Sequence, residues 1–129
     1  MAKILVIDDS LSDLKLTQKI LRSRRHKVVE LTAADDIVNQ VESIQPDLIL
    51  LDIVMPGTNG YEMCRQLKRW PTTADIPVIF LSAKSQESDI FWGKAQGADA
   101  YLVKPYHPDR LLEVVENLVK RKRKAAFDS

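Results

Sequence analysis

Residues 47–60 read DLILLDIVMPGTNG, and this segment gives the strongest indication of the fold of the chain. Its apolar residues 48–51 form an uninterrupted run, which is typical of a strand covered on both faces in a parallel sheet. The run ends at Asp52, after which Pro56, Gly57 and Gly60 favour a turn. The stretch therefore predicts a buried strand that carries a carboxylate at its carboxyl end.

The same arrangement, an apolar strand followed by a segment with helical periodicity, recurs along the chain. The predicted strands are residues 3–9, 27–31, 48–52, 76–82 and 100–103. The predicted helices are residues 11–24, 34–43, 60–70, 86–97 and 108–122. Regular alternation with short connections predicts an α/β fold, in which helices cover both faces of one five-stranded parallel sheet.

The composition is that of one globular domain. With 129 residues, 45% of them hydrophobic, the chain can bury a core without disulfides or a structural metal. Its one cysteine, Cys64, is expected to be a buried hydrophobe. Because the apolar runs are too short to span a bilayer and residues 1–4 enter a strand without a signal peptide, we expect a cytoplasmic protein with no membrane partner.

The charge is distributed unevenly. The net charge is +1, and five of the 19 basic residues lie in the run from Lys120 to Lys124. We expect a globular domain over residues 1–122, a basic, frayed tail over residues 123–129 and no output domain. The run is interpreted as a solvated helix end. Nucleic-acid binding is not expected, because interleaved aromatic residues and a helix-turn-helix are lacking. His26 and His107 are interpreted as surface residues.

Polar side chains are predicted at the carboxyl ends of four strands. They are Asp8 and Asp9 after the first strand, Asp52 in the third, Ser82 in the fourth and Lys104 after the fifth. In the strand order 2-1-3-4-5 these four strands are neighbours. The side chains then converge on the sheet edge where open parallel sheets bind ligands.

The combination predicts a site for a divalent cation and a phosphoryl group. Three clustered carboxylates raise each other's pKa unless a cation joins them. All-oxygen ligands favour Mg²⁺, which prefers a few carboxylates together with waters and phosphate oxygens. Lys104 would supply a positive charge and Ser82 a hydrogen-bond donor to the phosphoryl oxygens.

These motifs resemble the receiver domains of bacterial response regulators over residues 3–119. The matching motifs are Asp8-Asp9, the segment DIVMPG that begins at Asp52, Ser82-Ala83 and Lys104-Pro105. The resemblance implies a flavodoxin-like (βα)5 fold with strand order 2-1-3-4-5. It also implies that Asp52 accepts a phosphoryl group from the phosphohistidine of a sensor histidine kinase.

The resemblance also assigns roles around Asp52. Mg²⁺ would be held by Asp9, by Asp8 mostly through water, by Asp52 and by the backbone carbonyl of Val54. Lys104 would pair with the phosphoryl group and Ser82 would move toward it. The family's Lys-Pro bond is usually cis, so we predict a cis Lys104-Pro105 bond.

A phosphorylation-dependent switch is a further implication. Tyr101 occupies the family's aromatic switch position and would turn inward when Ser82 moves. The movement would remodel the face formed by the fourth helix, the fifth strand and the fifth helix, where Trp92 and Tyr101 are candidate partner-binding residues. Of the adjacent Phe91 and Trp92, at least one is expected at the surface, with partial burial against a neighbouring helix as the favoured interpretation.

The resulting functional prediction is a stand-alone response regulator, a binding module that catalyses only its own phosphorylation and dephosphorylation. Residues 92–98 and the loop at residues 70–73 look like the single-domain receivers of type IV pilus twitching and phototaxis systems. The expected partners are a histidine kinase and a downstream protein target, and the expected assembly is a monomer or weak homodimer.

Other interpretations are left open. A phosphate sink without output would use the same site. A Mg²⁺-dependent phosphohydrolase with an aspartyl nucleophile has related chemistry, but its usual motif needs an acid where this chain has Val54. A flavodoxin-like electron carrier would need a Ser/Thr/Gly-rich phosphate loop after the first strand, where Asp8 and Asp9 repel phosphate unless a metal is bound.

Overall fold

A computed structural model describes residues 1–33, 35–55 and 57–128 of the chain. The strands are β1 (Lys3–Ile7), β2 (Lys27–Leu31), β3 (Leu48–Asp52), β4 (Val54–Met55), β5 (Thr58–Asn59), β6 (Val78–Ser82) and β7 (Ala100–Val103). The helices are α1 (Leu11–Arg22), α2 (Ile37–Ile44), α3 (Gly60–Arg69), α4 (Glu87–Ala95) and α5 (Pro108–Asp128). Among these helices, none combines the length and the apolar composition needed to cross a lipid bilayer.

The five longer strands form one parallel sheet in the order β2-β1-β3-β6-β7. Counted without the short strands β4 and β5, which form a separate hairpin, this is the predicted order 2-1-3-4-5. The predicted fold class is therefore confirmed.

The alternating side chains of the central strands supply two cores. On one face Val6 and Leu50 lie in a cluster with apolar residues of α1 and α5. On the other face Ile7 and Leu51 lie in a cluster with apolar residues of α2 and α3. Because both faces are covered, every residue of β3 is buried, which explains its uninterrupted apolar run.

The predicted turn after Asp52 is the hairpin of β4 and β5. Gly57 has a φ of +70°, a left-handed conformation that residues with a side chain rarely adopt. A Cβ atom on Gly60 would lie 2.7 Å from the backbone Cα of Ile53. The two glycines thus let the chain leave β3 and enter α3 within a few residues.

Two predicted helix boundaries are wrong by more than two residues. The last helix does not end at residue 122: residues 123–128, predicted as a frayed tail, continue α5 to Asp128. No glycine or proline interrupts residues 109–128, and Lys, Arg and Ala are strong helix formers, so nothing local ends the helix. The second helix begins at Ile37, because Asp36 has a left-handed φ of 54°. Residue 34, its predicted start, lies outside the described residues.

The interpretation of His26 as a surface residue is also wrong. His26 is buried, its Nδ1 accepts a hydrogen bond from the backbone N–H of Ala2 at 3.1 Å, and its Nε2 lies 3.2 Å from Oε2 of Glu116 on α5. The ring therefore joins the residue that precedes β1 to α5. His107 is exposed, as predicted. Cys64 is buried, as predicted, and burial raises the pKa of its thiol to about 11.

Candidate functional site

Four neighbouring strands deliver polar side chains to one edge of the sheet. Asp8 directly follows β1, Asp52 ends β3, Ser82 ends β6 and Lys104 directly follows β7. The register aligns these ends, since Ile7 pairs with Leu51, Asp52 with Leu81 and Ser82 with Val103. The structure thus places the sequence-predicted residues at one edge.

The Lys104 ammonium lies at the centre of this edge. Its Nζ donates to Oδ2 of Asp8 at 2.8 Å, to Oδ2 of Asp13 at 2.9 Å and to Oδ2 of Asp52 at 3.2 Å. A lysine ammonium has three N–H donors, and all three are therefore used. Lys104 neutralises part of an acidic cluster that would otherwise be repulsive.

The contact of Lys104 with Asp13 was not predicted from the sequence. Asp13 lies in the first turn of α1, where an acid interacts favourably with the helix dipole. An acid at this position therefore does not by itself indicate a role in the site. The position of Asp13 could have indicated this contact, because α1 begins at the same sheet edge at which Asp8 lies. A residue in the first turn of such a helix can reach side chains delivered by the strands.

Backbone amides orient the two buried carboxylates. The side chain of Asp8 is only 1% exposed, and its Oδ1 accepts the backbone N–H of Ser10 at 2.9 Å. Oδ1 of Asp52 accepts the backbone N–H of Val54, also at 2.9 Å. Each carboxylate thus has one oxygen bonded to the backbone and the other to Lys104, so neither is free to rotate.

The surroundings raise the pKa of both Asp52 and Lys104, but for different reasons. Burial raises the pKa of Asp52 above its usual value, and the Val54 N–H and the Lys104 charge offset only part of that increase. Burial alone would lower the pKa of Lys104, but hydrogen bonds to Asp8 and Asp13 and the charge of Asp52 outweigh it and raise the pKa. The neighbours outweigh the effect of burial on the pKa of Lys104, because Lys104 faces three carboxylates. They do not outweigh it for Asp52, which has one cationic neighbour and is repelled by the charge of Asp8.

The acidic cluster fits a hard divalent cation. Carboxylate oxygens of Asp8, Asp9 and Asp52 lie within 4.8 Å of one another. Asp9 is exposed, which leaves an open side for water and a phosphoryl group. Three carboxylates with room for further oxygen ligands suit Mg²⁺. The predicted ligation by the Val54 carbonyl stays a prediction.

The two predicted switch residues contact the same residue. Ser82 is buried, and its Oγ accepts the backbone N–H of Lys84 at 3.1 Å. The hydroxyl of Tyr101 donates to the backbone carbonyl of Lys84 at 2.9 Å. The backbone of Lys84 therefore links the buried hydroxyl to the half-buried aromatic ring, through its N–H on one side and its carbonyl on the other. The Lys104-Pro105 bond is cis, as predicted.

Phe91 and Trp92 are both exposed, to 75% and 55%, which confirms the expected surface position of at least one of them but not the expected partial burial against a neighbouring helix. The reason lies in the neighbouring Gly93, whose Cβ position would be 2.9 Å from the Tyr101 ring. Gly93 is thus the residue that α4 turns toward the sheet. Successive helical residues differ by about 100° in direction, so Phe91 and Trp92 point elsewhere.

Comparisons with known proteins agree with this geometry. The profile of the response regulator receiver domain matches residues 4–116. The protein PilH of Pseudomonas aeruginosa is 41% identical over 115 residues, which cover 89% of this chain and 95% of PilH. The phosphate regulon transcriptional regulatory protein PhoB of Escherichia coli is 36% identical over 119 residues, 92% of this chain but only 52% of PhoB.

Solved structures show the same fold. The crystal structure of a putative response regulator from Chloroflexus aurantiacus has a TM-score of 0.87 at 27% identity and covers 92% of this chain and 98% of its own. The chemotaxis response regulator CheY4 of Vibrio cholerae has a TM-score of 0.83 at 26% identity, with the same two coverages.

Proposed function

The chain belongs to the response regulator receiver family, and from this premise we propose that it is a single-domain response regulator whose Asp52 accepts a phosphoryl group from a histidine kinase. The single-domain assignment is supported by the match to 95% of PilH. The observation that carries the proposal is the Asp52 carboxylate, which is held by the Val54 N–H and Lys104 beside two further acids.

The proposed transfer is a displacement at phosphorus. A carboxylate oxygen of Asp52 forms the new P–O bond while the P–N bond to the donor imidazole breaks, and the imidazole nitrogen leaves with the electron pair. The raised pKa of Asp52 makes its carboxylate more basic than an exposed one, which favours its role as nucleophile. Phosphorylation on this side chain needs no general base, because carboxylates are ionised near neutral pH.

Charge neutralisation is the second requirement. Asp8, Asp9 and Asp52 are the residues that would hold Mg²⁺. When bound, Mg²⁺ supplies positive charge that stabilises the negative phosphoryl oxygens. Lys104, which already donates to Asp52, is placed to donate to a phosphoryl oxygen instead.

The proposed output passes through the backbone of Lys84. A move of the Ser82 hydroxyl toward the phosphoryl group would break its contact with the Lys84 N–H, and Tyr101 would lose a fixed acceptor. The exposed Phe91 and Trp92 on the neighbouring α4 are candidates for binding a downstream protein target. The similarity to PilH supports a role in motility.

We do not propose turnover of a free substrate. The residue two positions after Asp52 is Val54, whose side chain offers no proton to a leaving group. A phosphate sink would use the same site, and partner binding to phosphorylated and unphosphorylated protein would separate that role from output.

The test is intact mass after incubation with Mg²⁺ and acetyl phosphate. The parent is expected to gain one phosphate, and Asp52→Ala and the parent in EDTA none. Asp109→Ala is the matched control, because Asp109 is an exposed acid in the first turn of α5, away from the site. No gain in the parent, or an equal gain in Asp52→Ala, would refute the proposal.

A further inference from the structure

We propose that Asp13 is a positioning residue, which holds the Lys104 ammonium beside Asp52 and thereby sets the rate of phosphorylation. The inference rests on the proposed function. It concerns a residue that belongs neither to the acidic pair nor to the phosphoacceptor segment, and that acts on the phosphoryl group only through Lys104.

The first support is the local geometry of Asp13. Ser10 caps α1, and its side-chain Oγ accepts the backbone N–H of Asp13 at 3.3 Å. The backbone N–H of Ser10 donates in turn to Asp8. The turn that orients Asp8 therefore also fixes the start of α1, and with it the carboxylate of Asp13.

A second contact lies one helical turn further along α1. Thr17 is four residues after Asp13, so the two side chains lie on the same face of the helix. The hydroxyl of Thr17 is hydrogen-bonded to the hydroxyl of Tyr106, two residues after Lys104. Helix α1 thus holds the segment after β7 at two points, the Tyr106 hydroxyl and the Lys104 ammonium.

The third support is that the hydrogen bond from Lys104 to Asp13 can persist during the reaction. Asp8 and Asp52 belong to the group of three acids that fits Mg²⁺, whereas Asp13 does not. Phosphorylation also converts one Asp52 oxygen into an acyl phosphate oxygen. Asp13 would then retain one ammonium N–H and leave the others for the phosphoryl oxygens.

An anchor of this kind matters because lysine is flexible. Its long stem has many rotamers, and part of that conformational freedom is lost whenever the ammonium is fixed. The Lys104 side chain is 18% exposed and that of Asp13 is 44% exposed, so the pair lies at the open side of the site. Without Asp13, Lys104 would retain only contacts that metal binding and phosphorylation alter.

Asp13→Ala is expected to lower the maximal rate of phosphorylation about tenfold, within the range that misplacement of a catalytic group produces. Asp13→Asn retains an acceptor oxygen of similar position and should recover much of the loss. Mg²⁺ affinity, followed as the rise of the thermal midpoint with Mg²⁺ concentration, should change less than the rate, because Asp13 is outside the three-acid group.

The experiment follows the phosphorylated fraction by intact mass over time, at saturating Mg²⁺ and several acetyl phosphate concentrations. The variants are Asp13→Ala, Asp13→Asn and Asp109→Ala, and only the last should keep the parent rate. Each rate is also measured in a Lys104→Ala background. If Asp13 acts through Lys104, its substitution has no further effect there.

Three outcomes would overturn the inference. Parent rates in Asp13→Ala would show that Lys104 needs no anchor, and faster rates would show that Asp13 competes with the phosphoryl group. An undiminished effect in the Lys104→Ala background would show a merely structural role. If circular dichroism shows that Asp13→Ala does not fold, Asp13→Asn replaces it in the comparison of the parent and Lys104→Ala backgrounds. A parent that gains no phosphate would instead refute the proposed function.

Discussion

Replacing Lys104 by methionine tests whether this lysine neutralises the buried acidic cluster. The substitution keeps most of the apolar stem and removes the ammonium that contacts Asp8, Asp13 and Asp52. Removing one partner of a buried ion pair leaves an uncompensated charge, whereas replacing both partners with apolar groups is often neutral. Lys104→Met should therefore be markedly destabilising in metal-free buffer.

The magnitude follows from burial. Asp8 is almost fully buried, and breaking a buried pair typically costs ~3–5 kcal/mol. Asp13 is nearly half exposed, so its pair adds at most ~1 kcal/mol. The variant also avoids the desolvation penalty of burying the Lys104 ammonium, which offsets part of the lost stability. We expect a net loss of about 3 kcal/mol in the free energy of unfolding.

Urea unfolding in EDTA and in Mg²⁺ measures this loss. With a slope of about 1–3 kcal/mol per molar urea, the midpoint in EDTA should fall by ~1–3 M. Mg²⁺ should restore part of the loss, because the oxygens of Asp8, Asp9 and Asp52 lie close enough to share a cation. The control is Lys84→Met, at an exposed lysine two residues after Ser82. A loss under about 1 kcal/mol in EDTA, or an equal loss with and without Mg²⁺, would contradict the reasoning.

Two further predictions concern single buried groups. Because burial raises the pKa of Asp52 above its usual 3.8, its contribution to stability is fully present below that pH and is lost as the pH rises through the folded-state pKa. Asp52→Asn should therefore unfold at higher urea than the parent in EDTA near pH 7, and the difference should shrink toward pH 4; a constant difference would argue against this. His26→Ala should lose ~2–3 kcal/mol, because it opens a cavity and leaves the Ala2 N–H unpaired. His107→Ala should lose less, about 1 kcal/mol, because the exposed His107 ring only accepts the Asp109 N–H at the start of α5. Equal urea midpoints for the two histidine variants would show that His26 contributes little.

Much of the site was predictable because it lies at strand ends. Asp8, Asp52, Ser82 and Lys104 each end an apolar run or follow one, and such runs are visible in the sequence. Parallel strands bring their carboxyl ends to one edge whatever the details of packing. The convergence of these residues thus required only the strand assignments and their order.

Contacts made by helices were not predictable in the same way. Asp13 and His26 look like a helix-terminal acid and a surface histidine in the sequence, yet one contacts Lys104 and the other joins Ala2, just before β1, to α5. Likewise, the exposure of Phe91 depends on the rotation of α4, which is set by the fit of Gly93 against Tyr101. Periodicity shows that a face is apolar, but it does not show which residue a neighbouring element will meet.

The amino-acid sequence was sufficient to predict the alternating strands and helices, the parallel sheet and the edge at which its polar residues gather. These features follow from local patterns of apolar residues and from the geometry of parallel strands. In contrast, the contacts of Lys104 with three carboxylates and the burial of His26 are seen only in the folded chain. Such contacts join segments distant in the chain, and they depend on the distance and rotation of packed elements, which no local pattern encodes.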